Sequence, residues 1–361
     1  MKLNKHQLQL FEDLTQLNGV AGQENEVAKY LKAAYLDLGC EILTDNLGSV
    51  IALKKSKNPN AKRVFVVGHM DEVGFMVLQV LNNGLIKANP IGGHNSETLL
   101  SSRVLLKTKR GDYLKGAIVA LPPHLMKNAG NEKTKIADML FDFGFTSKEE
   151  AFAAGIYIGA MMVIEGKMEV LHNEERILTK AVDDRYGLVI GLEMLEALKD
   201  IELDYDLYVG GSVQEEVGCR GGQTSAYLVD PDLAIVVDCS PARDTSGDTS
   251  ALGQLGEGVL IRFMDGNMIA FPELLDFQVE CAKEANVKYQ YFDSPGGTDA
   301  GNIHKLRDGV LTLTHCICAR SIHTNSTIFD ANDYLSARDS LLVILKKLNT
   351  KVIDDLKGVR K

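Results

Sequence analysis

The chain has 361 residues, of which 45% are hydrophobic and 24% are charged, the balance of an ordinary soluble globular protein rather than a disordered or fibrous one. Its length exceeds what one hydrophobic core usually organises, so we expect a large domain that carries a second, smaller one. The formal net charge of -10 repels polyphosphate, and no basic stretch with interleaved aromatic residues is present, which excludes nucleic acid as a partner.

The sequence carries no hydrophobic pattern typical of an exported or membrane protein. The first residues lack the apolar region and the small-residue cleavage site of a secretory signal. No apolar run approaches the ~20 residues that span a bilayer. The six cysteines are scattered without the paired spacing of a zinc ribbon or redox site, which indicates free buried thiols. We therefore expect a cytoplasmic protein with no membrane partner.

The first part of the chain predicts one helix and two strands. Apolar residues recur at helical spacing over residues 24–38, and Gly39 follows at the position of a left-handed helix cap. Two short apolar runs with β-branched residues, at 49–53 and 64–67, predict strands buried in the middle of a sheet. The second strand leads directly into Gly68 and His69.

The pattern changes after Glu72. Asparagine, glycine and proline residues separate short strand-like pieces up to about residue 166. This pattern predicts a small β-rich domain, residues 73–166, inserted into a discontinuous main domain formed by residues 1–72 and 167–361.

The remaining elements alternate between helix and strand. Periodicity predicts helices over 186–199, 274–286 and 331–348, the last closing the chain, and strands over 207–213, 233–237 and 310–317. We therefore predict an α/β fold, with a mixed sheet between layers of helices, that carries the inserted β-rich domain.

Acidic and histidine residues follow four of the predicted strands, at or just past the point where each strand ends: His69 and Asp71, Glu215 and Glu216, Asp238, and His323. The carboxyl ends of strands in an open α/β sheet share one crevice, so these residues can converge there. Taken singly, each has an ordinary interpretation as a surface charge or a helix cap. Their joint placement at one sheet edge favours a functional site.

A metal centre is the chemistry that such a cluster favours. Four or more carboxylates brought together would repel one another and take up protons unless cations neutralised them, and imidazole and carboxylate are ordinary zinc ligands. Two ions about 3.5 to 4 Å apart need a bridging carboxylate. We assign the bridge to Asp183, which lies at the start of the 186–199 helix.

Spacing separates the expected roles of the remaining residues. Residues two apart on an extended chain point the same way, so Asp71 is expected to accept the second N–H of the His69 imidazole and to orient it. Glu215 and Glu216 are adjacent and point in different directions, so we expect one to bind metal and the other to move protons.

The chain resembles the M42 metallo-aminopeptidases, which include bacterial glutamyl aminopeptidases and the tetrahedral TET peptidases. The resemblance covers nearly the whole chain. It rests on six motifs: Gly68-His69-Met70-Asp71-Glu72-Val73-Gly74, Ala181-Val182-Asp183-Asp184-Arg185, Gln214-Glu215-Glu216-Val217-Gly218, Val237-Asp238, Gly296-Gly297-Thr298-Asp299-Ala300 and Ser321-Ile322-His323.

The resemblance gives each site residue a role: His69 and Asp238 hold one metal ion, Glu216 and His323 hold the other, Asp183 bridges the two, and Glu215 is the general base. It implies two divalent ions per subunit, and zinc, cobalt and manganese all accept these ligands. The implied reaction removes N-terminal residues from peptides. A water shared by the two ions attacks the first peptide carbonyl, and Glu215 passes its proton to the leaving amine.

The resemblance also implies that the inserted domain is PDZ-like and makes subunit contacts, and that dimers assemble into a homododecamer that admits only short peptides. The side chains themselves suggest a substrate preference: Arg262 and Arg320 suit either of two roles, binding the side chain of an N-terminal Glu or Asp through two hydrogen bonds each, or a purely structural one. Members of the family also favour aliphatic or basic residues. The run Gly296-Gly297-Thr298 is expected to form a substrate wall and Asp299 to cap the following helix.

Two positions depart from the resemblance. Cys219 follows Glu-Glu-Val-Gly where an aliphatic residue is usual, and His94 follows Gly92-Gly93 where Trp is usual. Neither is expected to touch a predicted ligand.

Two other classes of function compete with this interpretation. Glu215 and a second carboxylate could form the acid and base of a glycoside hydrolase, but that scheme leaves His69, Asp183 and His323 without a role. A catalytically inactive assembly protein is the second alternative, and the presence of every predicted ligand argues against it.

Overall fold

A computed structural model of the chain describes residues 1–121 and 134–358. Its helices, in chain order, are α1 (Lys5–Gln16), α2 (Asn25–Asp37), α3 (Ser96–Leu99), α4 (Lys148–Ala153), α5 (Val182–Leu198), α6 (Arg220–Val229), α7 (Pro272–Glu284), α8 (Ala300–Ile303), α9 (Ala331–Lys347) and α10 (Thr350–Gly358). Its strands are β1 (Glu41–Thr44), β2 (Val50–Lys54), β3 (Arg63–His69), β4 (Gly74–Val80), β5 (Ile86–Ile91), β6 (Arg103–Lys107), β7 (Tyr113–Ile118), β8 (Phe141–Asp142), β9 (Met161–Ile164), β10 (Glu169–Val170), β11 (Arg176–Thr179), β12 (Asp206–Ser212), β13 (Leu233–Pro241), β14 (Val259–Met264), β15 (Tyr289–Asp293), β16 (Leu311–Ala319) and β17 (Thr327–Asp330).

A mixed eight-stranded sheet, in the order β1-β2-β12-β3-β13-β16-β14-β15, organises the chain. Its four central strands, β12, β3, β13 and β16, run parallel, so their carboxyl ends meet at one edge. The register places Ser212 beside His69 at that edge. Antiparallel pairings of β1 with β2, of β2 with β12 and of β14 with β16 make the sheet mixed, as predicted.

Helices cover both faces of this sheet. Along β3, Val64 and Val66 pack into a large core shared with α1, α2, α5, α7 and α9, whereas Phe65 and Val67 pack into a separate core with α6 and α8. This two-residue alternation is the period of a strand whose two faces are both buried. The result is the predicted α/β/α arrangement.

A closed barrel, β4-β5-β8-β7-β6-β9, lies between Gly74 and Ile164. It has its own hydrophobic core, which includes Phe75, Phe141 and Met162. A third, three-stranded sheet joins β10, β11 and β17.

The predicted elements are present with ends shifted by a few residues. Elements that the sequence analysis missed include the helices α1, α3, α4, α6 and α10 and the strands β1, β10, β11, β14, β15 and β17. The prediction that the helix ending at residue 348 closes the chain is wrong, because α10 follows it. The start of helix α1 has a capping motif that could have been recognised in the sequence. The Asn4 side chain accepts from the backbone N–H of Gln7, and the Gln7 side chain accepts from Asn4, which forms a capping box.

Across residues 1–121 and 134–358, the helices are all too short or too polar to cross a membrane.

Candidate metal centre and substrate cavity

The strand ends bring the predicted metal ligands together at one edge of the sheet. His69 is the last residue of β3, and Asp238 lies near the end of β13. Glu216 lies in the loop between β12 and α6, and His323 lies in the loop after β16. Asp183 has extended backbone angles (φ -81°, ψ 104°) just before the regular turns of α5, so its carboxylate enters the same crevice.

These five residues form two groups that share Asp183. His69, Asp183 and Asp238 present ligand atoms within 4.8 Å of one another, and so do Asp183, Glu216 and His323. Each of the two imidazoles faces a different carboxylate oxygen of Asp183. Nε2 of His69 is 3.1 Å from Oδ1, and Nε2 of His323 is 3.4 Å from Oδ2.

Each imidazole is oriented by a backbone carbonyl. Nδ1 of His69 donates to the carbonyl oxygen of Asp71 at 2.9 Å, and Nδ1 of His323 donates to the carbonyl oxygen of Gly93 at 2.9 Å. In the neutral ring the proton on Nδ1 leaves a lone pair on Nε2. That lone pair would face a carboxylate oxygen of Asp183, which is also an acceptor. Two acceptors at this separation repel unless a proton on Nε2 or a metal cation lies between them.

The pKa values of the clustered side chains also favour a bound cation. Burial, and then the neighbouring carboxylates, raise the pKa of Glu215 and of Asp238 well above their ordinary values. Burial would also raise the pKa of Asp183, but the two histidines hold it below its usual value. Oε1 of Glu216 lies 3.2 Å from Nε2 of His323, the same ring nitrogen that faces Asp183, and no hydrogen bond of good geometry reaches it from the described residues. This donor set of imidazole and carboxylate therefore fits divalent cations.

Asp71 lies beside His69, but its carboxylate has a different main contact from the one predicted. The second N–H of the His69 imidazole goes to the backbone carbonyl of Asp71, and the nearer carboxylate oxygen is 3.6 Å away. The two carboxylate oxygens accept the backbone N–H groups of Glu215 at 3.0 Å and Glu216 at 3.1 Å. Asp71 therefore holds the loop that carries both glutamates, in addition to orienting the histidine.

Two further buried carboxylates fix the site and were not recognised in the sequence. Asp184 accepts from the backbone N–H groups of His69 and Gly187, both at 3.0 Å. Gly68 makes room for it, since a Cβ there would lie 2.5 Å from Oδ2 of Asp184. Glu24 accepts from the backbone N–H of Gln214 at 3.1 Å. Burial, and then the nearby Asp71, raise the pKa of Glu24 to about 7.

A cavity of about 350 Å³ opens beside the cluster. Glu215, which belongs to neither ligand group, lines it together with members of both groups. The lining also includes Arg262, Asn267, Gly296 and Gly297. Arg262 is the only side chain with a permanent positive charge among the described lining residues, so a substrate would share this cavity with Glu215 and this charge.

Arg262 is buried in the wall of this cavity and already held by protein groups. Its guanidinium donates to the carbonyl oxygen of Gly296 at 2.7 Å and to Oγ of Ser240 at 3.2 Å. A carboxylate oxygen of Asp265 lies 3.1 Å away. Nε has no partner in the described part of the chain. The guanidinium is thus fixed in position, with its charge beside the cavity.

Three residues predicted near the substrate have other contacts. Arg320 forms a two-bond ion pair with Asp244, at 2.7 and 2.6 Å, and is not part of the cavity lining. Thr298 is buried, and its hydroxyl accepts from the N–H of Ala300. Asp299 stands at the start of α8, but its side chain makes no capping hydrogen bond and instead accepts from the hydroxyl of Ser212. The predicted helix cap does not form, because the Asp299 carboxylate binds the hydroxyl of Ser212, from a distant part of the chain, instead of a backbone N–H of α8.

The two unusual residues also have defined contacts. His94 stacks on Phe75 with ring centroids 4.6 Å apart and donates from Nε2 to the carbonyl of Gly74. The Cys219 thiol donates to Oε1 of Glu215 at 3.1 Å. Burial, and then the charge of Glu215, raise the pKa of Cys219, so the sulfur stays protonated. Cys219 therefore touches the predicted base although it touches no predicted ligand.

Comparison with known proteins gives consistent matches over nearly the whole chain. The model of the M42 glutamyl aminopeptidase family matches residues 48–339. The chain is 40% identical to the glutamyl aminopeptidase of Lactococcus lactis, over 96% of this chain and 97% of that protein. It is 33% identical to the lysyl aminopeptidase of Pyrococcus furiosus, over 90% of this chain and 92% of that protein.

Two solved structures share the fold along their full length. A TET aminopeptidase from a marine sediment Thaumarchaeota archaeon superposes with a TM-score of 0.93 at 33% identity, over 98% of this chain and 100% of that chain. The TET1 peptidase of Pyrococcus horikoshii, which assembles into a tetrahedron or a large octahedral shell, superposes with a TM-score of 0.85 at 25% identity, over 95% and 100% of the two chains.

Proposed function

The chain belongs to the M42 glutamyl aminopeptidase family and is a peptide hydrolase, and from this premise we propose that it removes N-terminal residues from short peptides with two divalent metal ions. The observation that supports the metal centre most directly is the position of Asp183. Its two carboxylate oxygens face the Nε2 atoms of His69 and His323, which a cation on each side would reconcile. This interpretation gives both histidines of the site, His69 and His323, a role, whereas the glycoside hydrolase alternative leaves them without one.

We assign the ligands by the two groups that the side chains form. His69 and Asp238 would hold one ion, Glu216 and His323 would hold the other, and Asp183 would bridge them. When bound, such ions lower the pKa of water and polarise a peptide carbonyl. The ligands do not separate zinc from cobalt or manganese.

Glu215 is placed to move the proton. It lines the cavity next to the ligands without belonging to either group, and Asp71 fixes its backbone. A carboxylate whose proton affinity is raised by burial can take a proton from the attacking water and return it to the leaving amine. The Cys219 thiol holds Oε1 of Glu215, which limits the orientations open to the carboxylate.

Removal of residues from the chain end is tested with matched substrates. We expect release of the amino acid from an aminoacyl anilide and no release from its N-acetylated form, because the reaction needs a free amino terminus. The anilides of Glu, Asp, Leu and Lys measured in parallel give the preferred residue. Equal cleavage of free and acetylated substrates would contradict an aminopeptidase, and no cleavage of either would favour the inactive assembly protein.

An acidic N-terminal residue is the preference that the cavity supports best. Arg262 brings a fixed positive charge to the cavity that Glu215 also lines. Arg320 does not share this role, because it is not part of the cavity lining and its guanidinium is bound to Asp244. The 40% identity to a glutamyl aminopeptidase agrees with this preference, whereas a lysyl aminopeptidase is a more distant relative.

Replacing Arg262 by Ala is expected to lower kcat/KM for the glutamyl anilide relative to the leucyl anilide by about ten- to a hundredfold, since a hydrogen bond to a charged group contributes about 1.5 to 3 kcal/mol. The ratio of the two substrates cancels any general disturbance of the wall. Arg320→Ala serves as the matched control and should leave the ratio unchanged. An unchanged ratio in Arg262→Ala would remove Arg262 from substrate selection.

We propose that residues 73–166 form an oligomerisation domain and that the assembly is a dodecamer built from dimers. Residues 73–166 present exposed apolar side chains at Leu78, Leu121 and Ile158, which suit a contact surface. The tetrahedral assembly of a TET1 peptidase with the same fold supports the proposal. Sedimentation of the purified chain as a monomer would contradict it.

The cytoplasmic location stays a prediction.

A further inference from the structure

A third group of ligand-type side chains lies beside the two that share Asp183. Glu215, Cys219 and Asp299 present a carboxylate oxygen, a sulfur and a carboxylate oxygen within 4.8 Å of one another. The sulfur of Cys219 is 3.1 Å from Oε1 of Glu215. This group contains neither histidine of the metal centre, and it contains a thiol, which the other two lack.

The starts of two helices hold two of these side chains in place. Cys219 immediately precedes α6 with a left-handed backbone (φ 54°), and Asp299 immediately precedes α8. Gly222 in the first turn of α6 lets Asp299 approach, because a Cβ there would lie 2.4 Å from Oδ1 of Asp299. The contact between the two helix starts therefore depends on a glycine.

Asp299 supplies the observation that points to a ligand. It is 2% exposed. Its Oδ2 accepts from the hydroxyl of Ser212, whereas Oδ1 lies against the backbone of Gly222 at the start of α6 and receives no hydrogen bond of good geometry from the described residues. A buried carboxylate oxygen without a hydrogen bond of good geometry is costly, and a cation is one way to satisfy it.

We propose that Glu215, Cys219 and Asp299 form a third, inhibitory site for a thiophilic divalent cation such as zinc or cadmium. One sulfur and two carboxylate oxygens are accepted ligands of zinc, and the sulfur selects against hard ions such as magnesium. On binding, the S–H bond of Cys219 breaks, its proton passes to solvent, and the sulfur binds as the thiolate.

The predicted effect on the reaction follows from Glu215. An ion in the third site takes the carboxylate that we propose as the base, so it blocks proton transfer without removing the ions of the main centre. This consequence rests on the proposed function of Glu215, whereas the metal site itself does not. A chain with an aliphatic residue at position 219 would lack the sulfur and would escape this inhibition.

The test titrates cadmium chloride into the enzyme already loaded with its activating metal. Two signals are followed, hydrolysis of an aminoacyl anilide and the ultraviolet charge-transfer absorption of a cadmium–thiolate bond. We expect inhibition of the wild type at cadmium concentrations more than about tenfold below those that inhibit Cys219→Ala, since even outer partners of metal ligands contribute about ten- to a hundredfold in affinity. The absorption should appear in the wild type and be lost in Cys219→Ala.

Matched variants separate the site from general thiol chemistry. Cys219→Ser keeps the Cβ at the left-handed position and should behave as Cys219→Ala, with each variant compared with its own rate before cadmium is added. Cys40→Ala removes a half-buried cysteine distant in sequence from these residues and should retain both the absorption and the inhibition of the wild type.

The two signals distinguish the failure of the site from the failure of the base assignment. Equal absorption and equal inhibition in wild type and Cys219→Ala would overturn the third site. Absorption that depends on Cys219 but leaves the rate unchanged would support the site and would remove the base role from Glu215.

Discussion

Replacing Glu215 by Gln is expected to lower kcat by about 10²- to 10⁴-fold, the usual contribution of a positioned general base, and to leave the bound metal unchanged. The amide has nearly the shape of the carboxylate and can accept the hydrogen bond from Cys219, so the loop should keep its position. Because Glu215 belongs to neither metal-ligand group, loss of its charge should not empty them. Steady-state kinetics and metal analysis of the same preparation measure both quantities.

The matched control is the adjacent residue. Glu216→Gln removes a proposed ligand, so it should lower both the metal content and the activity. The two variants differ by one position along the same loop, whose backbone N–H groups are both held by Asp71. Near wild-type turnover in Glu215→Gln, or loss of metal from it equal to that of Glu216→Gln, would show that the two roles are assigned wrongly.

The sequence predicted where the candidate site lies, but it did not predict the contacts that hold the side chains of the site in place. His69, Glu216, Asp238 and His323 were placed at one crevice by a single rule, that the ends of parallel strands meet at one sheet edge. The parallel pairing of β12, β3, β13 and β16 supplies that edge. Short apolar runs sufficed to predict these strands because both of their faces are buried.

The supporting contacts could not be predicted because they depend on tertiary partners. Asp299 has the sequence position of a helix cap, yet Ser212, which is 87 residues away along the chain, takes its side chain. Arg320 was expected at the substrate, but Asp244, 76 residues away, pairs with it. Local rules name the bonds that a residue can form, and the packing of distant elements decides which bond forms.

Glu24 is a residue of the site that no sequence pattern indicated. In the sequence it stands at the start of an amphipathic helix, where an acidic residue is ordinary. In the structure its carboxylate holds the backbone of Gln214, next to the proposed base. Its place in the site depends on how the first helices pack on the sheet edge, and no local pattern records that.

Removal of metal is expected to abolish hydrolysis, and zinc, cobalt or manganese added back should restore it with at least one of the three. Stripping should also lower the Tm. The reason is that the buried carboxylates of Asp183, Glu216 and Asp238 lose the cations that offset their mutual repulsion. An ion present at about 100 times its Kd stabilises the folded state by about 2.7 kcal/mol per site, so the shift should be measurable without any assay of activity.

Asp183→Asn distinguishes this mechanism from a general effect of the chelator. The variant lacks the carboxylate that both ligand groups share, so it should have low activity, retain little metal, and show a smaller change of Tm on chelation than the wild type. Activity that survives complete removal of metal would contradict the metal centre and would favour a carboxylate pair acting alone, as in a glycoside hydrolase. A Tm shift on chelation that is as large in Asp183→Asn as in the wild type would mean that the ions bind elsewhere.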